Sequence, residues 1–140
     1  MDTTNNHPQP FITKCFYAAA LYNILGSVVF SKFLTNDYMT SLDPNVFSDM
    51  GWIAIFLFGL VFLSIAKSYH HVPYLLLALF VEKMIYTGMW ILWLLKNNSS
   101  LPEIYHNDLL TGIGFTLYGS GDLVSGLFFL WVALKILNKK

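Results

Sequence analysis

The sequence contains little charge and no arginine. Only 11% of its 140 residues are charged, against roughly 25% in an ordinary soluble domain, and all eight basic residues are lysines. The formal net charge is zero, and no stretch forms the basic stripe with which nucleic-acid-binding proteins neutralise phosphates. We therefore exclude nucleic acid as a partner.

The sequence also lacks the cysteines needed for thiol–disulfide exchange and the histidines needed to bind a haem or metal within the helices. Cys15 is the single cysteine, so the chain has neither an internal disulfide nor a Cys-x-x-Cys pair for thiol–disulfide exchange. A membrane haem needs axial histidines within the helical bundle, and the predicted tail and loops contain all four histidines: His7, His70, His71 and His106. We expect no metal, and no Ser-His-Asp set meets at one depth.

Apolar residues are abundant, at 56% of the chain, and they form four long runs. The first run would span about 34 Å as a helix, enough for a hydrocarbon core of about 30 Å. An open strand in lipid would leave backbone groups unpaired, so each run is predicted to be helical. The runs cover residues 11–33, 50–66, 73–95 and 109–137. The sequence predicts an all-α, integral membrane four-helix bundle, antiparallel and up-down-up-down, in one domain over 11–140 after a flexible tail of residues 1–10.

The lysines near the ends of these runs are unevenly distributed between the two sides of the predicted bundle. Only Lys32 and Lys96 lie on the side of the 34–49 and 96–108 connectors. The side of both termini and the 67–73 turn has Lys14, Lys67, Lys135, Lys139 and Lys140. Because lysine-rich ends stay in the cytoplasm, we expect both termini to be cytoplasmic.

Three ionisable residues, Glu82, Lys83 and Asp122, fall deep inside the predicted spans. A charge at the bilayer centre costs at least roughly 2.5–3.5 kcal/mol, so we expect each of these side chains to have a polar partner or a functional role. Helical rise brings them to a similar depth, together with Asn23 of the first run. We expect Lys83 to pair with Asp122, and Glu82 to be protonated or hydrogen-bonded to Asn23 or Tyr118. The second run has no ionisable residue, and we expect it to be scaffolding.

The predicted polar cluster near the midplane permits two interpretations. It is either structural, with a buried ion pair and an amide fixing which helices are neighbours, or it lines a ligand pocket or proton path. The sequence supports the two about equally. The cluster comprises Asn23, Glu82, Lys83, Tyr86, Tyr118 and Asp122.

Short motifs on three of the runs resemble those of the small four-helix bacterial membrane proteins loosely grouped as DoxX-like. They are Leu21-Tyr22-Asn23 with Gly26, the membrane lysine Lys83, and Gly121-Asp122-Leu123. The resemblance covers most of the chain and implies a four-helix architecture in a bacterial inner membrane. A few members of that group are associated with quinone-linked redox systems, which is a hint at a role.

These observations leave three functional hypotheses. The favoured one is a non-catalytic protein that binds a lipid-soluble molecule or serves as an accessory subunit of a larger membrane complex, because no complete catalytic set is visible. The alternatives are a membrane enzyme or redox partner acting on a quinone or isoprenoid, with Glu82 or Asp122 as acid or base, and a small ion or metabolite transporter working as an oligomer. Expected partners are membrane lipid, a larger complex or a second copy; no cofactor is expected beyond a bound lipid or quinone.

Overall fold

A computed structural model describes residues 7–139, and this part of the chain is helical with no β-strand. The predicted all-α class is confirmed. The helices are α1 (Pro10–Phe30), α2 (Asp37–Leu42), α3 (Asp49–Ile65), α4 (Pro73–Asn97), α5 (Leu101–Asn107) and α6 (Leu109–Leu137). Residues 7–9 have no regular structure, while residues 1–6 of the predicted tail and residue 140 lie outside the described residues.

Three helices, α1, α4 and α6, are long and apolar enough to cross a membrane. They are compatible with the predicted integral membrane protein. Helix α3 is also apolar but shorter, with 17 residues and a length of about 26 Å.

The starts of the four long helices follow local sequence signals. Pro10 and Pro73 occupy the first positions of α1 and α4, where a fixed φ suits a helix and the missing N–H costs nothing. Ser48 caps α3 by accepting a hydrogen bond from the Gly51 N–H. Asp108 caps α6 in the same way, with its carboxylate accepting from the first free N–H groups of that helix.

Helix α1 ends at Phe30, three residues before the predicted end at residue 33. The reason is backbone conformation: Lys32, Phe33 and Leu34 have φ of 50°, 58° and 64°, in the left-handed region. This conformation costs roughly 1–2 kcal/mol per residue without glycine and cannot continue a right-handed helix. Side chains stabilise the turn, since the Ser31 hydroxyl accepts a hydrogen bond from the Leu34 N–H.

The other long helices depart less from the predicted bounds. Helix α3 is shifted by one residue, α4 continues two residues further to Asn97, and α6 covers the predicted 109–137. The connectors at 34–49 and 96–108 contain the short helices α2 and α5, whose six or seven residues are too few to show a hydrophobic period.

Helices α2 and α5 lie at one end of the bundle, which we call the α2 end. Their inward side chains join a compact apolar cluster of Met39, Val46, Phe47, Trp52, Trp93, Ile104 and Phe115. The indole N–H of Trp93 also donates to the carbonyl of Leu42, tying α4 to the end of α2. A second cluster, which includes Phe16, Phe62 and Phe129, fills the opposite end near the 66–72 turn.

The long helices pack as two pairs, α1 against α3 and α4 against α6. Glycines permit close approach in both pairs. A methyl group at Gly59 of α3 would come within 2.6 Å of the Ile24 side chain of α1, and one at Gly119 of α6 would overlap the Trp90 ring of α4. At the 66–72 end, stacked rings of Phe16 and Phe129, with centroids 5.5 Å apart, join the two pairs.

Candidate functional site

Lys83 is the centre of a buried hydrogen-bond network between α1, α4 and α6. Its side chain is 2% exposed, although it carries an ammonium group. The ammonium donates to Asp122 Oδ1 at 2.7 Å and to Asn23 Oδ1 at 3.0 Å. The structure therefore contains the expected pair of Lys83 with Asp122, and Asn23 completes it from α1.

Helix α3 contributes to this network although its one ionisable residue, Asp49, lies at its first position and does not line the cavity. The Asn23 amide donates to the carbonyl of Ile55 at 3.1 Å, so the orientation of Asn23 depends on α3. The Lys83 ammonium also lies 5.1 Å from the centroid of the Phe62 ring, within range of a cation–π interaction. Helix α3 is thus part of the site, in addition to the scaffolding role expected for it.

Glu82 lies next to this network but does not share its hydrogen bonds. Its Oε1 is 3.8 Å from the Lys83 ammonium, and within residues 7–139 neither carboxyl oxygen has a hydrogen-bond partner. The expected hydrogen bond from Glu82 to Asn23 or Tyr118 is not formed; the Asn23 amide group instead donates to the carbonyl of Ile55 and accepts from Lys83. The buried Tyr118 hydroxyl is likewise unpartnered in the described chain. Buried polar groups left this way cost about 1–3 kcal/mol each.

All six residues of the predicted polar cluster line one cavity of about 560 Å³. Its volume lies in the range of small-molecule sites, roughly 300–1,000 Å³. The lining residues of α1 run from Ala18 to Phe30, a rise of about 18 Å, so the cavity is elongated along the bundle. The rest of its wall is mostly apolar, with Leu21, Leu25, Val29, Phe30, Met39, Phe47, Trp52, Ile55 and Leu117.

The cavity has one closed end and one open side. Met39, Phe47 and Trp52 are buried and close it toward the α2 end. On the side, four lining residues are about half exposed, and they form what we call the lateral opening: Leu21, Leu25, Val29 and Leu117. The first three are spaced four residues apart on one stripe of α1, facing α6. The cavity therefore opens sideways, between α1 and α6, through an apolar rim.

Tyr22 forms the boundary of the lateral opening toward the 66–72 end. Its hydroxyl donates to the carbonyl of Tyr118 at 3.0 Å, and its ring lies directly over Gly121 of α6. On its far side is a second, shallower groove of about 490 Å³, lined by residues that include Cys15 and Ser125. Tyr22 thus separates the cavity from the outer surface of the α1–α6 contact.

Residues from the 31–48 connector belong to the cavity although they lie outside the polar cluster predicted from the sequence. Met39 and Phe47 were missed because they lie in a stretch that the sequence predicts to be a polar, acidic connector. The available signal was the presence of several large apolar residues, Met39 and Phe47 among them, in a segment that a solvent-exposed connector would not need. Their burial shows that the connector folds back over the bundle.

An ion pair beyond the ends of the long helices holds this connector against α6. Lys32 in the left-handed turn pairs with Asp108, the N-cap of α6. Partial burial opposes ionisation of Asp108, but the hydrogen bond from Lys32 and those from Thr111 outweigh it and hold its pKa below the ordinary value. Asn36 adds a hydrogen bond to the Thr111 hydroxyl at 3.1 Å.

The described part of the chain contains no group of three or more His, Cys, Asp or Glu side chains placed to hold a metal ion. The ring centroids of His70 and His71 lie 3.9 Å apart in the turn before α4, and neither residue lines the cavity. Comparison with known proteins adds no relative: no protein-family model, no curated protein and no solved structure matches this chain.

Proposed function

We propose that this protein is a small four-span membrane protein that binds a lipid-soluble molecule in the cavity between its helices. The observation that carries the proposal is an elongated, mostly apolar cavity with an apolar opening on its side and, on one wall, polar groups that have no partner in the described residues. Small-molecule sites combine these features, whereas a bundle stabilised only by an ion pair needs no cavity beside it.

The order of contacts supports the antiparallel, up-down-up-down arrangement. Along α1 the partners on the α3 side run backwards, from Tyr69 for Gln9 to Ile55 for Asn23. Between α4 and α6, Lys83 meets Asp122, and ten residues later in α4 Trp93 meets Phe115. At 17 residues, α3 is at the lower limit of about 17–25 residues for a span. From the excess of lysines near the termini we propose that both termini are cytoplasmic, and from the DoxX-like resemblance that the membrane is a bacterial inner membrane.

Binding is a better account of this site than transport. A transport path needs polar groups leading to both ends of the bundle. The polar side chains of the cavity are grouped around Lys83, and the wall toward the α2 end consists of Met39, Phe47 and Trp52. A ligand can therefore enter from the lipid and be held, while a route to the α2 end is closed by apolar side chains.

An enzyme acting on an isoprenoid or quinone remains the second candidate, because Glu82 lines the cavity with both oxygens free of hydrogen bonds in the described chain. A carboxyl group held in this way can take or give a proton. Turnover of a bound ligand that stops in Glu82→Gln would favour the enzyme over the binder.

Two glycine variants test the binding proposal with a matched control. Gly26 lines the cavity and has only the Phe30 ring edge at 4.0 Å, so Gly26→Leu fills the cavity without a backbone clash. Gly88 also has free space around its Cα but does not line the cavity, so Gly88→Leu makes the same change elsewhere.

The measurement is native mass spectrometry of protein extracted gently from membranes. We expect a bound lipid-soluble molecule on the wild type and on Gly88→Leu, and its loss from Gly26→Leu. A folded wild-type protein that carries no small molecule and takes up none from added lipid extract would overturn the proposal.

A further inference from the structure

The hydrogen-bonding groups on the cavity wall are unequally satisfied. The Lys83 ammonium donates to Asn23 and Asp122, and Asn23 uses both of its amide atoms. By contrast, both oxygens of Glu82 and the Tyr118 hydroxyl have no partner anywhere in residues 7–139. The wall therefore offers two free oxygens on Glu82, both acceptors when the carboxyl group is ionised and one of them a donor when it is protonated, and a hydroxyl on Tyr118 that can donate or accept.

The charges around Glu82 limit what can approach it. Of the side chains that line the cavity, α4 supplies Glu82, Lys83 and Tyr86, α6 supplies Tyr118 and Asp122, and α1 and α3 supply no charge. The cavity wall thus has two carboxyl groups, on Glu82 and Asp122, and one ammonium group, on Lys83. An anionic head group would meet like charge in a medium of low dielectric constant, which is unfavourable. Fatty acids and phosphate-bearing lipids fit this wall poorly.

The route into the cavity limits the head group further. The rim of the lateral opening consists of three aliphatic side chains on α1 and Leu117 on α6. A charged head passing this rim would lose its water before it reached Lys83 and Glu82, at a cost of several kcal/mol. A cationic head would also approach the Lys83 ammonium, which lies 3.8 Å from Glu82. An uncharged head avoids both penalties.

We propose that the cavity takes a neutral lipid alcohol, whose hydroxyl donates to the Glu82 carboxyl group and whose apolar chain lies toward Phe47 and Trp52. This rests on the proposed binding function and specifies the ligand. A hydroxyl group both donates and accepts, so it also suits the Tyr118 hydroxyl. A ketone, aldehyde, ether or quinone carbonyl only accepts, so it leaves at least one Glu82 oxygen without a donor, whereas a hydroxyl suits the carboxyl group whether it is ionised or protonated.

Trp52 provides a reporter for the test because it lines the cavity and is buried from the surface. The protein is placed in phosphatidylcholine nanodiscs, and tryptophan fluorescence is measured on addition of bromoundecanol, with bromine at the end of the chain as a contact quencher. The methyl ether of the same compound and bromoundecanoate are the matched probes. In Trp52→Phe, the saturable part of the quenching should disappear, leaving the linear quenching of the other tryptophans, of which Trp131 is the most exposed.

We expect saturable quenching by the alcohol at a concentration about tenfold lower than for the ether or the carboxylate, as one hydrogen bond to a charged or buried partner implies. In Glu82→Gln the carboxamide can donate to an ether oxygen, so the alcohol-to-ether preference should fall toward one. Gly88→Leu should keep the wild-type preference.

The outcomes separate this inference from the binding proposal. Equal affinities for alcohol and ether, or tighter binding of the carboxylate, would overturn the lipid-alcohol assignment while leaving a binding cavity. Saturable quenching by none of the probes, in protein whose helical circular dichroism is intact, would overturn both.

Discussion

Tyr22 of α1 rests directly on Gly121 of α6, and its hydroxyl donates a hydrogen bond to the backbone carbonyl of Tyr118 one turn earlier in α6. This contact joins the two helix pairs beside the lateral opening. It needs a glycine, because a methyl group at position 121 would overlap the tyrosine ring.

The Tyr22–Gly121 contact predicts the order of two variants. Gly121→Ala should displace the ring and destabilise the protein by about 1–3 kcal/mol, as overpacking does. Tyr22→Phe keeps the ring and loses only the hydroxyl, so its effect should be smaller, about 0.5–1.5 kcal/mol. Thermal unfolding in detergent, with Gly88→Ala as the control in open space, measures both. An effect of Gly121→Ala no larger than that of Gly88→Ala would contradict the packing described here.

The Lys83–Asp122 pair predicts strong non-additivity. Lys83→Met leaves a buried carboxylate and the Asn23 carbonyl without their donor, and it should cost about 3–5 kcal/mol. The double variant Lys83→Met, Asp122→Leu removes both charges, so it should be more stable than Lys83→Met alone. A double-mutant cycle in reversible unfolding measures this coupling. If the destabilisation of the double variant equals the sum of the two single-variant values, Lys83 and Asp122 do not stabilise one another, and the prediction is wrong.

The cap at Asp108 predicts a dependence of stability on pH. Its pKa is lowered in the folded protein, so its contribution is complete above the ordinary value of 3.8 and is lost as the pH falls through the folded pKa. Asp108→Asn should therefore be less stable than the wild type at neutral pH, and the two should converge in acid. Melting curves across this pH range test the sign. Lys32→Gln, which removes the main stabilising partner of the carboxylate, should shrink the difference at neutral pH.

The left-handed turn after α1 predicts a stabilising substitution. Phe33 has φ of 58° and is 80% exposed, so Phe33→Gly loses little burial and relieves backbone strain. We expect a gain of up to about 1 kcal/mol, seen as a higher melting temperature in detergent. Leu95→Gly, at a position in α4 that is 74% exposed, should lose stability by a similar amount because it lies in a right-handed helix. Equal losses in both variants would show that the turn is not strained.

Local sequence patterns were sufficient for several parts of the fold. Apolar runs, prolines at the starts of α1 and α4, and polar caps at Ser48 and Asp108 act over a few residues, so the long helices lie close to their predicted bounds. The end of α1 was less predictable, because the left-handed turn is stabilised by Asn36, which donates to the carbonyl of Phe30 and to Thr111 of α6.

The candidate site likewise has features that follow from local sequence and features that follow from contacts between distant segments. By themselves, the sequence and helical rise determined that Asn23, Lys83 and Asp122 share a depth, since a charge in an apolar run needs a partner and 1.5 Å per residue sets its level. Only the tertiary structure decided that Asn23 bonds to Ile55 and Lys83 rather than to Glu82. It also decided that Glu82 and Tyr118 face a cavity without partners in the described chain, and that Phe47 and Met39 close it. The physical reason is that the choice of hydrogen-bond partners and the space left between helices depend on how the helices pack. That packing is determined by contacts between residues far apart along the chain.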